Sequence, residues 1–168
     1  MIDQTRNAGS SKATSPMTFM NKFVNPLMRL ILRSPVHGLM SASMLLITYH
    51  GRKTGREYSV PVQYAQAGED IYIVPGMPER KTWWRNLKEP LPVELCLRGR
   101  NLPGTAVLIT AESAAGAIRA GLKAYTRRFP AFISTHHLPV DESGNLTAEG
   151  FQKAADQCRL ICVHTGQP

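Results

Sequence analysis

Apolar positions recur along this chain in two rhythms. Between residues 17 and 33, Met17, Met20, Phe23, Val24, Leu27, Met28, Ile31 and Leu32 fall near a 3.6-residue period. Ser15-Pro16, Asn25-Pro26 and Ser34-Pro35 each set a capping residue ahead of a proline. The pattern predicts two or three short helices, or one helix broken at Pro26, with Lys22, Arg29 and Arg33 off the centre of the stripe. From Ser43 the rhythm becomes that of strands. Met44 to His50 reads as a strand and Gly51 to Gly55 as a compact turn. Over Glu57 to Ala65, Tyr58, Val60, Val62 and Tyr64 alternate with Ser59, Pro61, Gln63 and Ala65. Pro61 lacks a ladder donor, which predicts an edge or a bulge. Ile71 to Val74 follows a Gly-Glu-Asp turn. Thr82 is placed to cap a short helix through Lys88. Val93 to Leu97 and Thr105 to Thr110 read as a hairpin around Gly99-Arg100-Asn101. Glu112 to Phe129 and Ala148 to Gln157 read as helices, 136 to 146 as a loop, and Arg159 to His164 as a closing strand. About six strands joined mostly by short turns imply antiparallel pairing and an α+β domain with a small barrel. Residues 1 to 15 are polar and small, and read as a disordered tail before a single domain over 16 to 168.

A chain of 168 residues is enough for one core. At 43% apolar and 19% charged it has ordinary globular usage, which excludes collagen, coiled coil and wholesale disorder. No apolar run approaches the roughly 20 residues of a spanning helix. Three cysteines are an odd number, and a reducing, cytoplasmic compartment is the default. Charge changes the picture more. The net charge of +8 is concentrated in residues 4 to 56, which carry Arg6, Lys12, Lys22, Arg29, Arg33, Arg52, Lys53 and Arg56 and no acid. Such a field calls for an anionic partner.

Two segments carry candidate chemistry. Gly51-Arg52-Lys53-Thr54-Gly55-Arg56 sets three cations and a hydroxyl within six residues. Its glycines let the backbone turn and present N–H groups to an anion. A solvated basic hairpin tip is the plain alternative. Lys81-Thr82-Trp83-Trp84-Arg85-Asn86-Leu87 holds adjacent tryptophans about 100° apart on a helix. One can enter the core while the other walls a cleft, or both can be core. No C-x-x-C, H-E-x-x-H, EF-hand, Walker A or G-x-S-x-G pattern occurs, and no metal site is expected. Aromatics at 7% and the lack of a reading motif argue against nucleic acid.

Leu45 to Arg56, Val60-Pro61-Val62 with Tyr64, and Thr82 to Leu87, at these spacings, resemble the deazaflavin (F420)-dependent nitroreductase and quinone reductase family over about residues 25 to 110. The resemblance implies a split β-barrel of the flavin-reductase and pyridoxamine-oxidase type, covered by N-terminal and C-terminal helices. It implies coenzyme F420, with FMN a second choice, and hydride transfer to a quinone, nitro compound or other electron-poor acceptor. It places the cofactor's phosphate on Arg52, Lys53, Thr54, Gly55 and Arg56. Tyr58 stands where relatives often have a second basic residue. Val60, Pro61 and Val62 would run beside the ring and Trp83 would wall the pocket. The segment Val74 to Pro78 lacks the lysine that relatives often carry there, with Arg80 and Lys81 nearby.

That departure keeps open a non-catalytic barrel that binds FMN, heme or a tetrapyrrole. The stripe at 17–33 also raises peripheral membrane contact, which suits a quinone acceptor. No catalytic residue is assigned; Tyr64, Tyr125, His136, His137 and Ser59 are eligible proton donors by type alone.

Overall fold

The computed structural model describes residues 42–166. The predicted tail at 1–15 and the helical stripe at 17–33 lie outside those residues.

Seven strands follow one another as β1 (Met44–His50), β2 (Glu57–Gln63), β3 (Ala65–Ala67), β4 (Asp70–Ile73), β5 (Leu91–Leu97), β6 (Arg100–Ile109) and β7 (Leu160–His164). A 3₁₀ helix, Trp83–Leu87, precedes β5. Helices α1 (Ala111–Arg128), α2 (Ala131–Thr135) and α3 (Ala148–Gln157) separate β6 from β7. All pairings are antiparallel, in the order β2-β1-β5-β6-β7-β4-β3. β2 and β3 stand at the two ends of that order, yet only Tyr64 separates them in sequence. The sheet must curl until its ends meet, which makes it a split barrel. Tyr64 N–H donates to the Ser43 carbonyl at 3.3 Å and pins the joint.

The count is seven strands rather than about six. The segment 57–65 reads as one alternating strand, but the chain changes edges at Tyr64. Its side chain is 1% exposed, so the alternation continues across the break and hides it. Pro61 sits on β2, an end strand among the described residues, where its missing donor costs no ladder bond on the open side.

Alternation divides the apolar side chains between a barrel interior and an outer layer under the helices, with Leu46, Cys96 and Met44 forming a small third cluster. Ile71 and Ile73 of β4 and Ile161 and Val163 of β7 face the barrel interior with Leu45, Ile47, Val93 and Leu95. Tyr72, Leu160 and Cys162 face outward against Ile118 and Leu122 of α1, and Ala154 of α3 joins them. Each fully buried aliphatic side chain contributes about 1.5–3 kcal/mol. Helix α1 comes this close to the sheet because Gly121 has no Cβ; one there would stand 2.6 Å from Tyr72 Cε1 and 2.8 Å from Leu160 Cδ2. Thr110 caps α1 in a capping box with Ser113, and Thr147 caps α3 through the Gly150 N–H at 3.1 Å.

Candidate cofactor site

The turn between β1 and β2 is built from its glycines. Gly51 N–H donates to the Arg56 carbonyl and Gly55 N–H to the Gly51 carbonyl, both at 2.8 Å. Gly55 has φ +62°, which favours glycine. Gly51 is needed for room: a Cβ there would stand 2.7 Å from the Tyr58 ring and 2.9 Å from Thr54 Oγ1. Tyr58 leans over the turn, its hydroxyl 3.1 Å from Thr54 Oγ1 and its ring stacked on Tyr49 at 5.7 Å. Burial pushes the Tyr49 phenol up to about 12, with Tyr58 adding to the effect.

The three cations of the turn differ in what they touch. Arg52 Nε donates to the Asn86 carbonyl at 2.7 Å, and Nη2 donates to the carbonyls of Glu89 and Pro90 at 2.9 Å each. Its guanidinium also lies 3.6 Å from the Glu89 carboxylate. Arg52 therefore holds the turn to the 3₁₀ helix, and its fork points at protein rather than outward. Lys53 and Arg56 are exposed and make no hydrogen bond through their side chains, and no ion pair, among the described residues. The N–H groups of Lys53 and Thr54 likewise meet no acceptor there. Two uncommitted cations beside two uncommitted amides form a fit for a phosphate.

Asn86 joins the two segments that carry the candidate chemistry. Its Oδ1 accepts from Arg52 N–H at 3.2 Å, and its Nδ2 donates to the Trp83 carbonyl at 3.0 Å. Both tryptophans pack on the barrel core, to different depths. Trp84 is buried, donates Nε1–H to the Pro78 carbonyl at 3.0 Å, and has Arg85 and Arg159 near its ring. Trp83 is half-buried against the barrel core. Thr82 does not cap this element with its side chain; its carbonyl accepts from Arg85 N–H at 3.0 Å, as suits a 3₁₀ turn.

On β2, Val60 and Pro61 are half-buried, whereas Val62 is in the core. Val62 thus has no side-chain surface for a ring and can meet one only through its backbone. Ser59 is buried, with its hydroxyl 2.8 Å from that of Thr48. The segment after β4 exposes Met77 with φ +53°, a conformation unusual for a non-glycine residue. Sequence reading missed Met77, because the adjacent Gly76 is where such a φ is expected. Of the eligible proton donors, Tyr125 and His136 meet at the Phe132 ring. Tyr64 is in the barrel core, Tyr125 is buried against Phe129 and Phe132, and His136 packs at a tilt on Phe132 at 4.4 Å.

Three solved structures are among those similar to this chain. One described as a domain-swapped dimer is 18% identical, with 89% of this chain and 99% of that chain covered and a TM-score of 0.52. An F420-H2 dependent reductase is 20% identical over 72% of this chain and 93% of that chain, with a TM-score of 0.49. A FAD and heme binding protein from Mycobacterium smegmatis is 15% identical over 80% and 67%, with a TM-score of 0.42. At 18% identity the first of these shows the fold alone. No curated protein matches the chain. A family model, F420H(2)-dependent quinone reductase, matches residues 27–129.

Proposed function

Because the chain belongs to the F420H(2)-dependent quinone reductase family, and is thus a reductase that uses coenzyme F420, we propose that its acceptor is a quinone, nitro compound or similar electron-poor molecule. The observation that supports a cofactor site at the 51–56 turn is the pair of uncommitted cations, Lys53 and Arg56, held next to Trp83 by the Arg52–Asn86 lock. On this reading Lys53, Arg56 and the N–H groups of Lys53 and Thr54 hold the cofactor's phosphate, and Gly55 shapes the turn. Arg52 positions that turn rather than touching the phosphate. Tyr58 flanks it, Val60 and Pro61 line the ring together with the Val62 backbone, and Trp83 walls one side. The bound deazaflavin supplies the hydride; the protein supplies position and charge.

A fluorescence titration with F420 tests the assignment. Wild type should saturate, and Lys53→Ala should weaken binding by roughly tenfold or more, the worth of one charge-assisted hydrogen bond. Equal affinity in the two proteins removes the turn from the cofactor site. Steady-state rates with a quinone and a nitroaromatic, each with reduced F420, then separate the acceptor classes.

No helix among the described residues is long and apolar enough to cross a membrane. For a quinone dissolved in lipid, the basic apolar stripe at 17–33 is the segment that would meet the bilayer surface. Flotation of the full chain with anionic vesicles, lost when Lys22, Arg29 and Arg33 become Glu, checks that contact. The three cysteines are buried and form no disulfide among the described residues, which suits a cytoplasmic, reducing compartment.

A further inference from the structure

A second concentration of positive charge lies at the other end of the β1–β2 hairpin. The register sets the separation. His50 pairs with Glu57 beside the 51–56 turn, and Met44 pairs with Gln63 at the opposite end. Seven residues of strand put these ends about 20 Å apart. β5 runs alongside, with Thr48 opposite Glu94 and Leu46 opposite Cys96, so its last residues and Arg98 lie at the Met44 end too. There β3 and the C-terminal half of α1 bound a groove of about 810 Å³.

Its charge has one sign. Arg98 enters from the β5–β6 turn and Lys123, Arg127 and Arg128 from α1, and no Asp or Glu among the described residues lines the groove. Lys123 and Arg127 share a helix face with Ala120 and Ala124, whose small side chains leave the space open. Arg98, Lys123 and Arg127 are exposed and make no ion pair among the described residues. Arg128 lies over the Tyr64 ring at 5.4 Å, a contact that leaves its charge unneutralised. A helix C-terminus favours cations, which accounts for Arg127 and Arg128 on their own. It does not account for Arg98. That residue has φ +50°, followed by Gly99 at φ +75°, in a two-residue hairpin turn where Asn-Gly is the favoured pair. An arginine at the disfavoured position places a long cation over the groove.

We propose that this groove is a second ligand site, separate from the 51–56 turn, for a small molecule with two or more negative charges of the phosphate or polycarboxylate class. Four converging cations repel one another until a multiply charged anion sits between them, and the arginine forks match both oxyanion geometries. The volume is that of a small-molecule site.

The test is calorimetric titration of the full chain with pyrophosphate and, in a separate arm, citrate. At least one should bind saturably, more weakly as salt rises. Binding should fall by about tenfold or more in Arg98→Gly/Arg127→Ala. Both positions are exposed, and glycine suits the φ at 98, so this variant keeps its fold; an unchanged thermal melt verifies that. Wild type saturated with F420, which fills the turn, should still take up the anion at the groove. The absence of saturable binding in both arms overturns the proposal. Full binding in the double variant saturated with F420, or displacement of the anion by F420, does so as well. The cofactor assignment at the turn is tested by F420 affinity alone, so either reading can fail without the other.

Discussion

Arg52 and Lys53 are adjacent cations in one exposed turn, and the proposed cofactor site gives them opposite jobs. Replacing Arg52 with Ala removes three donations to carbonyls, at 2.7, 2.9 and 2.9 Å. A hydrogen bond from a charged group contributes about 1.5–3 kcal/mol when sheltered. The Arg52 side chain is 36% exposed, so water competes for every one of these bonds. A net loss of about 2 kcal/mol for the set is the discounted expectation. The contact with Glu89 adds little, because that carboxylate is 79% exposed. In a domain of this size the loss lowers Tm by about 4–8 °C. Lysine restores the charge but not the fork, so Arg52→Lys should recover little of the loss. Lys53→Ala removes no contact within the described residues and should leave Tm within about 1–2 °C of wild type. The ranking reverses for F420. Lys53→Ala should lose roughly tenfold to 150-fold in affinity. Arg52→Ala should lose affinity only as far as the turn loosens, and excess ligand should restore part of its Tm. Calorimetric melts with and without F420 on the three variants measure both quantities. A stable Arg52→Ala that fails to bind, or a destabilised Lys53→Ala, would refute the division of roles.

Three other expectations follow from particular contacts. Gly51→Ala drives a methyl into Tyr58 and Thr54 and should weaken both stability and F420 binding, with recovery when Tyr58→Ala is added; urea melts and titration of both variants check this. Gly121→Ala overpacks the seam with Tyr72 and Leu160 and should cost about 1–3 kcal/mol or more in urea unfolding, with F420 affinity unchanged. His164 Nδ1 lies 2.7 Å from Asp70 Oδ1, and the hydrogen bond and charge of Asp70 raise the imidazole above its usual 6.5. Its stabilising contribution is therefore complete below about pH 6.5 and is lost as pH rises through the higher folded value. Denaturant midpoints across that range should fall more in wild type than in His164→Gln, and parallel profiles would remove the pair from the pH response.

Much of the barrel can be read in the chain because its signals are local. Met44 to His50 is apolar and β-prone, glycines bound the next turn, and alternation marks β2. The GRKTG block and the W-x-x-N-L element also led to the right family, as the match over 27–129 bears out. What escaped reading has no local trace. Arg52 reaches partners 34 to 38 positions away, so its structural role cannot be told from that of Lys53 by residue type. The end of β2 at Gln63 is invisible because Tyr64 keeps the apolar period while the chain changes partners. Met77 and Arg98 adopt positive φ beside glycines that attract the expectation instead. The small helix α2 follows Pro130 with a single turn, too short to leave a period.

The joint at Tyr64 ties together two pairings that most sheets keep independent. β2 is registered on β1, and β3 on β4, with one residue between them. A one-residue slip of β2 would exchange its inward and outward side chains. Without slack at the joint, β3 would have to slip with it or break from β4. A registry error at one lip of the barrel is thus transmitted to the other lip, and it is corrected only when both are correct. Such a closure proofreads itself, and its last step waits on contacts distant in sequence, which slows folding while it narrows the outcome to one alignment.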